Sequence, residues 1–156
     1  LLGGANRRYG ISAMMAKDMA RRLADFATKT GASLALIPSR RTPANLVAQL
    51  TASLGPLPHA VMDQAEHNPY PGILGLVDAV IVTSDSVNMI SEATITGLPI
   101  LIAEWRSETG RIRAFHDVMI AAGHIAPLRD QLPQDGFTPL FEMPAIIKSV
   151  LARLNS

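Results

Sequence analysis

The stretch Val80-Ile81-Val82-Thr83-Ser84-Asp85-Ser86-Val87-Asn88-Met89-Ile90-Ser91-Glu92-Ala93 constrains this chain most. The run from Ala79 to Val82 is apolar and β-branched, as a strand covered on both faces requires. Thr83-Ser84-Asp85-Ser86 is too polar to continue it, and any of Ser84, Asp85 and Ser86 can N-cap a following helix. Gly97 suits a helix C′ position and Pro99 cannot continue a helix. A strand that feeds a helix through a short polar turn leaves backbone N–H groups without intrahelical partners, a geometry suited to anions. The turn reads as a ligand site or as a cap, and both readings stand at this level.

The remaining segments alternate in the same way. Leu1-Leu2 reads as the end of a first strand, and Gly3-Gly4-Ala5-Asn6-Arg7-Arg8-Tyr9-Gly10 as a glycine-rich loop. No methionine precedes this strand end, so the expectation is a domain or fragment lacking an N-terminal part. Ser12 caps a helix to about Lys29, with Met15, Met19, Leu23 and Phe26 at helical spacing, and Gly31 ends it. Ser33–Ile37 is a second strand. Thr42 is expected as N-cap and Pro43 at N1 of a helix to Leu54, with Leu46, Val47 and Leu50 inward. His59–Met62 is a third strand, Gln64–Gly72 an irregular loop, and Ile73–Leu76 a short helix. Pro99–Ala103 is the fifth strand. A helix follows within Ser107–Gly123, with Ile112, Phe115, Met119 and Ile120 on one face. Pro127–Pro139 shows no clear element, and Pro144–Leu154 is a final helix.

Alternating strands and helices predict an α/β fold: one doubly wound, Rossmann-like parallel sheet with helices on both faces, over residues 1–156. In the strand order 3-2-1-4-5, strands 1 and 4 meet at the topological switch point, where ligands bind. Their loops are Gly3-Gly4-Ala5-Asn6 and Ser84-Asp85-Ser86, so the two most phosphate-like loops would face each other.

Composition excludes several classes. A net charge of +1 gives no bulk attraction to nucleic acid. With no cysteine there is no disulfide framework or thiolate chemistry, which fits a cytoplasmic protein. No apolar run reaches the roughly 18 residues of a transmembrane segment. His59, His67, His116 and His124 lack metal-ligand spacing. There is no P-loop, no G-x-G-x-x-G fingerprint and no G-x-S-x-G elbow around Ser84 or Ser86.

Asp85, Asn88 and Glu92 fall at i, i+3 and i+7, which predicts one polar stripe on the helix. At about 1.5 Å per residue, Glu92 lies about 9 Å along the axis from Ser86, so a diphosphate at the helix start would leave a ribose beside its carboxylate. A solvated helix face is the alternative. Arg40 and Arg41 sit at the carboxyl edge of the sheet and suit phosphate through bidentate contacts, or form a solvated loop; Arg7 and Arg8 are weaker candidates. His67 and Asn68 lie in a loop at the same edge.

Leu2-Gly3-Gly4, Pro38-Ser39-Arg40-Arg41-Thr42-Pro43, Asn68-Pro69-Tyr70 and the Val82–Ala93 string together resemble the mitochondrial fission ELM family. That family is similar to GT-B glycosyltransferases, and this chain looks like their C-terminal, donor-binding half. The resemblance implies a UDP-type nucleotide-sugar as substrate and no further cofactor or metal. Its diphosphate would lie on Ser84, Asp85, Ser86 and Val87, its ribose on Glu92, and its base near His67 and Asn68. Asn88, Met89, Gly3 and Gly4 would border the sugar and the crevice toward a missing N-terminal domain. It also implies a metal-independent transfer, with an acceptor at the membrane periphery. No catalytic base is recognised in this half, and a non-catalytic scaffold module is the other implied role.

Overall fold

The computed structural model describes residues 1–4, 10–62, 68–133 and 137–154. In chain order the elements are α1 Ala13–Thr30, β1 Leu34–Leu36, α2 Ala44–Leu54, β2 His59–Val61, α3 Tyr70–Leu74 and β3 Val80–Thr83. They continue with α4 Val87–Thr94, β4 Ile100–Ala103, α5 Gly110–Ala121, β5 Ala126–Pro127 and α6 Met143–Leu154.

Two parallel ladders, β1–β2 and β3–β4–β5, are joined by the first two residues. Leu2 donates to the Ile37 carbonyl and accepts from the Ser39 N–H, each at 2.9 Å. On the other side, Leu1 donates to Ile81 O at 2.6 Å and accepts from Thr83 N–H at 3.1 Å. Leu1-Leu2 therefore acts as the first strand, and the expected 3-2-1-4-5 order is present, extended by a sixth strand.

The sheet is doubly wound because successive strand residues face opposite sides. Val80, Val82, Ile100 and Ile102 pack with Ile90 and Ala93 of α4 and Met119 of α5. Leu2, Leu36, Ala103 and Trp105 pack on the other face with Met19, Ala20 and Leu23 of α1 and Leu46, Leu50 and Leu54 of α2. Ser12 caps α1, accepting from Met15 N–H at 3.2 Å, and Gly31 closes it with φ +70°.

Several expectations are corrected. Thr83 belongs to the strand, since its backbone pairs across to Leu1 and its hydroxyl accepts from Gly3 N–H. Thr42 is not a helix cap: the N-cap position is Pro43, without a side-chain bond. The Thr42 hydroxyl instead accepts from Ser39 N–H at 2.8 Å and reaches the carbonyls of Leu2 at 2.7 Å and Gly3 at 2.9 Å. The short helix before β3 is Tyr70–Leu74, because Asn68 Oδ1 accepts from Tyr70 N–H and starts the turn earlier. Ile120 is exposed, while His116 takes the inward position beside Ile112 and Met119. Ala126–Pro127 forms a strand on β4 that is too short to leave a periodic signature. The apolar side chains of α6, among them Ile146, Ile147, Val150 and Leu151, are exposed.

An apolar cavity of about 730 Å³ lies along the sheet between β1 and β3, lined by Leu1, Met19, Leu23, Phe26, Ala35 and Ile81 among others. Among the described residues, none of the site residues expected from the sequence lines it, although Thr83 does.

Candidate functional site

The carboxyl ends of Leu1-Leu2, β3 and β4 converge, and the residues after them form a buried polar cluster. Gly3 N–H donates to Thr83 Oγ1 at 2.8 Å and Gly4 N–H to Asp85 Oδ2 at 3.2 Å. The two loops that sequence reasoning set face to face thus touch directly. Only glycine permits this approach. A Cβ on Gly3 would lie 2.1 Å from Asp85 Oδ2, and one on Gly4 would lie 1.9 Å from the Arg41 carbonyl oxygen.

Asp85 is the hub. Its side chain is fully buried, accepting also from the Trp105 indole N–H at 3.0 Å, with the Arg41 guanidinium 3.8 Å from Oδ2. A buried carboxyl group needs such partners to offset its lost hydration. Arg41 is half-exposed, so its ion pair adds little to stability, but its position at the rim is fixed in sign. Ser84, 0% exposed, donates to Glu108 Oε1 at 2.7 Å and accepts from Trp105 N–H at 3.4 Å. Ser86 caps α4, accepting from Met89 N–H at 3.4 Å.

The expected stripe is therefore broken. Asp85 turns inward from a non-helical position, while Asn88 and Glu92 are exposed on α4. Met89 is half-buried and packs on the core. The structure brings together Gly3, Gly4, Arg41, Ser84, Asp85 and Ser86. Arg40 is exposed on the same loop, and Asn68 is exposed at the start of α3. His67, Arg7 and Arg8 lie outside the described residues.

Tyr70, on α3, senses the charge of Glu92 on α4. Its hydroxyl is buried without a partner among the described residues, and its pKa is raised by that burial and by the Glu92 charge. Sequence reasoning missed Thr42, Thr83, Trp105, Glu108 and His116. The one available signal was position, since Trp105 and Glu108 directly follow a buried strand at its carboxyl end.

Ser84 offers no accessible nucleophile, because its hydroxyl is fully enclosed. Among the described residues, no group of three His, Asp or Glu side chains is arranged to hold a metal ion. Among them, too, no helix is long and apolar enough to cross a membrane.

Strand order, two-sided helix packing and glycine-edged loops meeting at the switch point define a Rossmann-like α/β domain. The chain belongs to the mitochondrial fission ELM1 family, whose family model matches residues 1–154. It is 37% identical over 99 residues to mitochondrial fission protein ELM1 of Arabidopsis thaliana, an alignment covering 63% of this chain and 22% of that protein. This chain therefore spans well under two thirds of the curated relative's length. No solved structure matches it.

Proposed function

We propose that this chain is the nucleotide-sugar-binding domain of a GT-B-like glycosyltransferase, taking a UDP-type donor at residues 83–92. The observation that carries this reading is the convergence at the switch point: Gly4, Arg41 and the start of α4 are gathered around Asp85. The Ser84, Asp85 and Ser86 side chains bond inward, so the donor diphosphate meets the backbone N–H groups of Val87 and Asn88, with Arg41 or Arg40 at the rim. Those N–H groups have no partner within the helix, and the helix dipole favours the leaving diphosphate there. Glu92 is exposed along α4 and takes the ribose hydroxyls, within charge-sensing range of Tyr70. A preceding domain supplies the other wall of the crevice and the catalytic base, and receives an acceptor at the membrane periphery. Transfer passes through an oxocarbenium-like transition state with amide and guanidinium groups, rather than a metal, stabilising the diphosphate.

The alternative is a catalytically silent interaction module. One observation favours it: every polar side chain of the Ser84–Ser86 turn is engaged within the protein. Calorimetric titration of the full-length protein with UDP and UDP-sugars separates the readings. Binding that weakens about tenfold in Glu92→Ala, the equivalent of about 1.4 kcal/mol, supports the donor site. No heat at millimolar nucleotide refutes it, and unchanged affinity in Glu92→Ala removes the ribose role.

A further inference from the structure

The apolar cavity between β1 and β3 takes no part in the proposed site, and both its walls carry backbone groups that point into it. In a parallel ladder the N–H and C=O of one residue turn to the same side, and those of the next residue to the other. On β1, Leu34 N–H donates to Pro58 O and Leu36 O accepts from Met62 N–H, each at 2.9 Å and toward β2. Ala35 and Ile37 therefore turn away from β2. On β3, Val80 N–H donates to Pro99 O at 2.8 Å, toward β4, so Ala79 and Ile81 turn away from β4. Leu1 and Leu2 meet only the carboxyl ends of these edges: Ile81 O accepts from Leu1 and Ile37 O from Leu2. Ile37 N–H, Ala35 C=O, Ile81 N–H and Ala79 C=O face the cavity, and all four residues line it.

The remaining walls are apolar. Met19, Leu23 and Phe26 of α1 close one face, and Leu74 and Val77 close the other beside Leu1. An apolar small molecule suits such a space but leaves the backbone N–H and C=O groups unmet, which is costly away from water. An extended peptide satisfies both the apolar walls and the polar edges. Its length follows from the register that pairs Leu2 with Pro38 and sets Leu1 beside Val82. About three residues, roughly 10 Å of strand, fit between β1 and residues 79–81.

We propose that the cavity is a strand slot: in the full-length protein, the residues leading into Leu1 run through it as an extended strand, parallel to β1 and β3 and bonded to both. The residue directly before Leu1 faces β1, donating to Ala35 O and accepting from Ile37 N–H. The residue before that faces β3, donating to Ala79 O and accepting from Ile81 N–H. Their side chains alternate between the α1 wall and the wall of Leu74 and Val77, so the segment is apolar at successive positions, as a strand buried on both faces is. A segment joined to Leu1 arrives in register and at high effective concentration, which a separate chain does not. The strand that ends in Gly3 and Gly4 is thereby anchored along its length, and the glycine loop is held at the switch point. The slot needs no nucleotide, so this assignment and the donor-site reading fail separately.

Amide hydrogen exchange of the full-length protein, resolved to single residues, tests the slot. Ile37 and Ile81 N–H should exchange within about tenfold of Leu2 and Thr83 N–H, which are bonded to Ile37 O and Leu1 O. Faster exchange at either position overturns the assignment. Proline placed directly before Leu1, or one residue earlier, takes an N–H out of the slot; it should lower the urea midpoint and speed exchange at Ile37 or Ile81. Proline tolerated at both positions overturns the assignment too. Protection that is lost on dilution would put a second copy in the slot, and so would refute it. Should the proline variants not fold, exchange in the unaltered protein decides the matter alone.

Discussion

Gly4→Ala is predicted to be among the most damaging one-carbon changes in this chain. The new Cβ would sit 1.9 Å from the Arg41 carbonyl oxygen, 2.4 Å from its carbon and 3.0 Å from Thr42 N. Ordinary contact starts at 3.4 Å, so about 1.5 Å of movement is needed. Backbone must supply it, and this backbone is pinned by Thr42, whose hydroxyl is bonded to Leu2, Gly3 and Ser39. Overpacking of this kind costs about 1–3 kcal/mol. Displacing Gly4 also removes its N–H from the buried Asp85 carboxylate, worth about 1.5–3 kcal/mol more. A loss of about 3–5 kcal/mol is a large part of the total stability of a typical domain, about 5–15 kcal/mol. For a chain of this size it lowers Tm by about 10 °C. Urea unfolding measures it, with an unchanged m-value showing that the loss belongs to the folded state. Gly72→Ala is the control, since it lies in α3 with nothing within 4 Å and should cost nothing. A Gly4→Ala stability within about 0.5 kcal/mol of the parent would refute the close-approach account.

Thr42→Val keeps the shape and deletes the hydroxyl; it should cost about 1–2 kcal/mol by removing its bonds to the Leu2 and Gly3 carbonyls, with helix content unchanged. A fall in helicity by circular dichroism would instead restore the capping role that the structure withdraws. Stability should also fall as pH drops below about 6.5, because the unfolded chain protonates His116 before the folded one does. The slope from this group is at most about 1.4 kcal/mol per pH unit and ends once pH passes the folded pKa. Denaturation of His116→Phe across the same range should lack that component, and equal slopes in both proteins would rule out the assignment.

The strand–helix alternation was legible because buried parallel strands and amphipathic helices leave different periodicities, and the strand order was that of the doubly wound pattern such alternation suggests. Ser12, Gly31, Leu46 and Leu50 do what their positions announce. The errors share one cause. Thr42, Thr83 and Asp85 bond to residues 39 to 81 positions distant in sequence, through Leu2, Gly3 and Gly4. A local reading assigns a threonine before a proline to a cap, and an aspartate near a helix start to its polar face. It has no access to a partner supplied by a distant strand. His116 was similarly hidden, since a histidine spaced one turn from Ile112 carries no sign that it faces inward.

What held the Ser84–Ser86 turn was open while only its residues were known, and a cap and a ligand site stood as rivals. Their division of labour in the structure removes the rivalry. Side chains form the cap and the interior bonds: Ser86 to Met89 N–H, Asp85 to Gly4 and Trp105, Ser84 to Glu108. Backbone N–H groups at Val87 and Asn88 come too early in α4 for an intrahelical acceptor. A ligand at the start of α4 therefore need not break the capping bond. Donors held in place before an anion arrives require no reorganisation to meet it, which is where preorganised electrostatic stabilisation gains over water. On the proposed reading, the inward bonds of Asp85 and Ser84 are the support for the outward amides. Loosening that support should weaken anion binding without removing a single group that touches the anion.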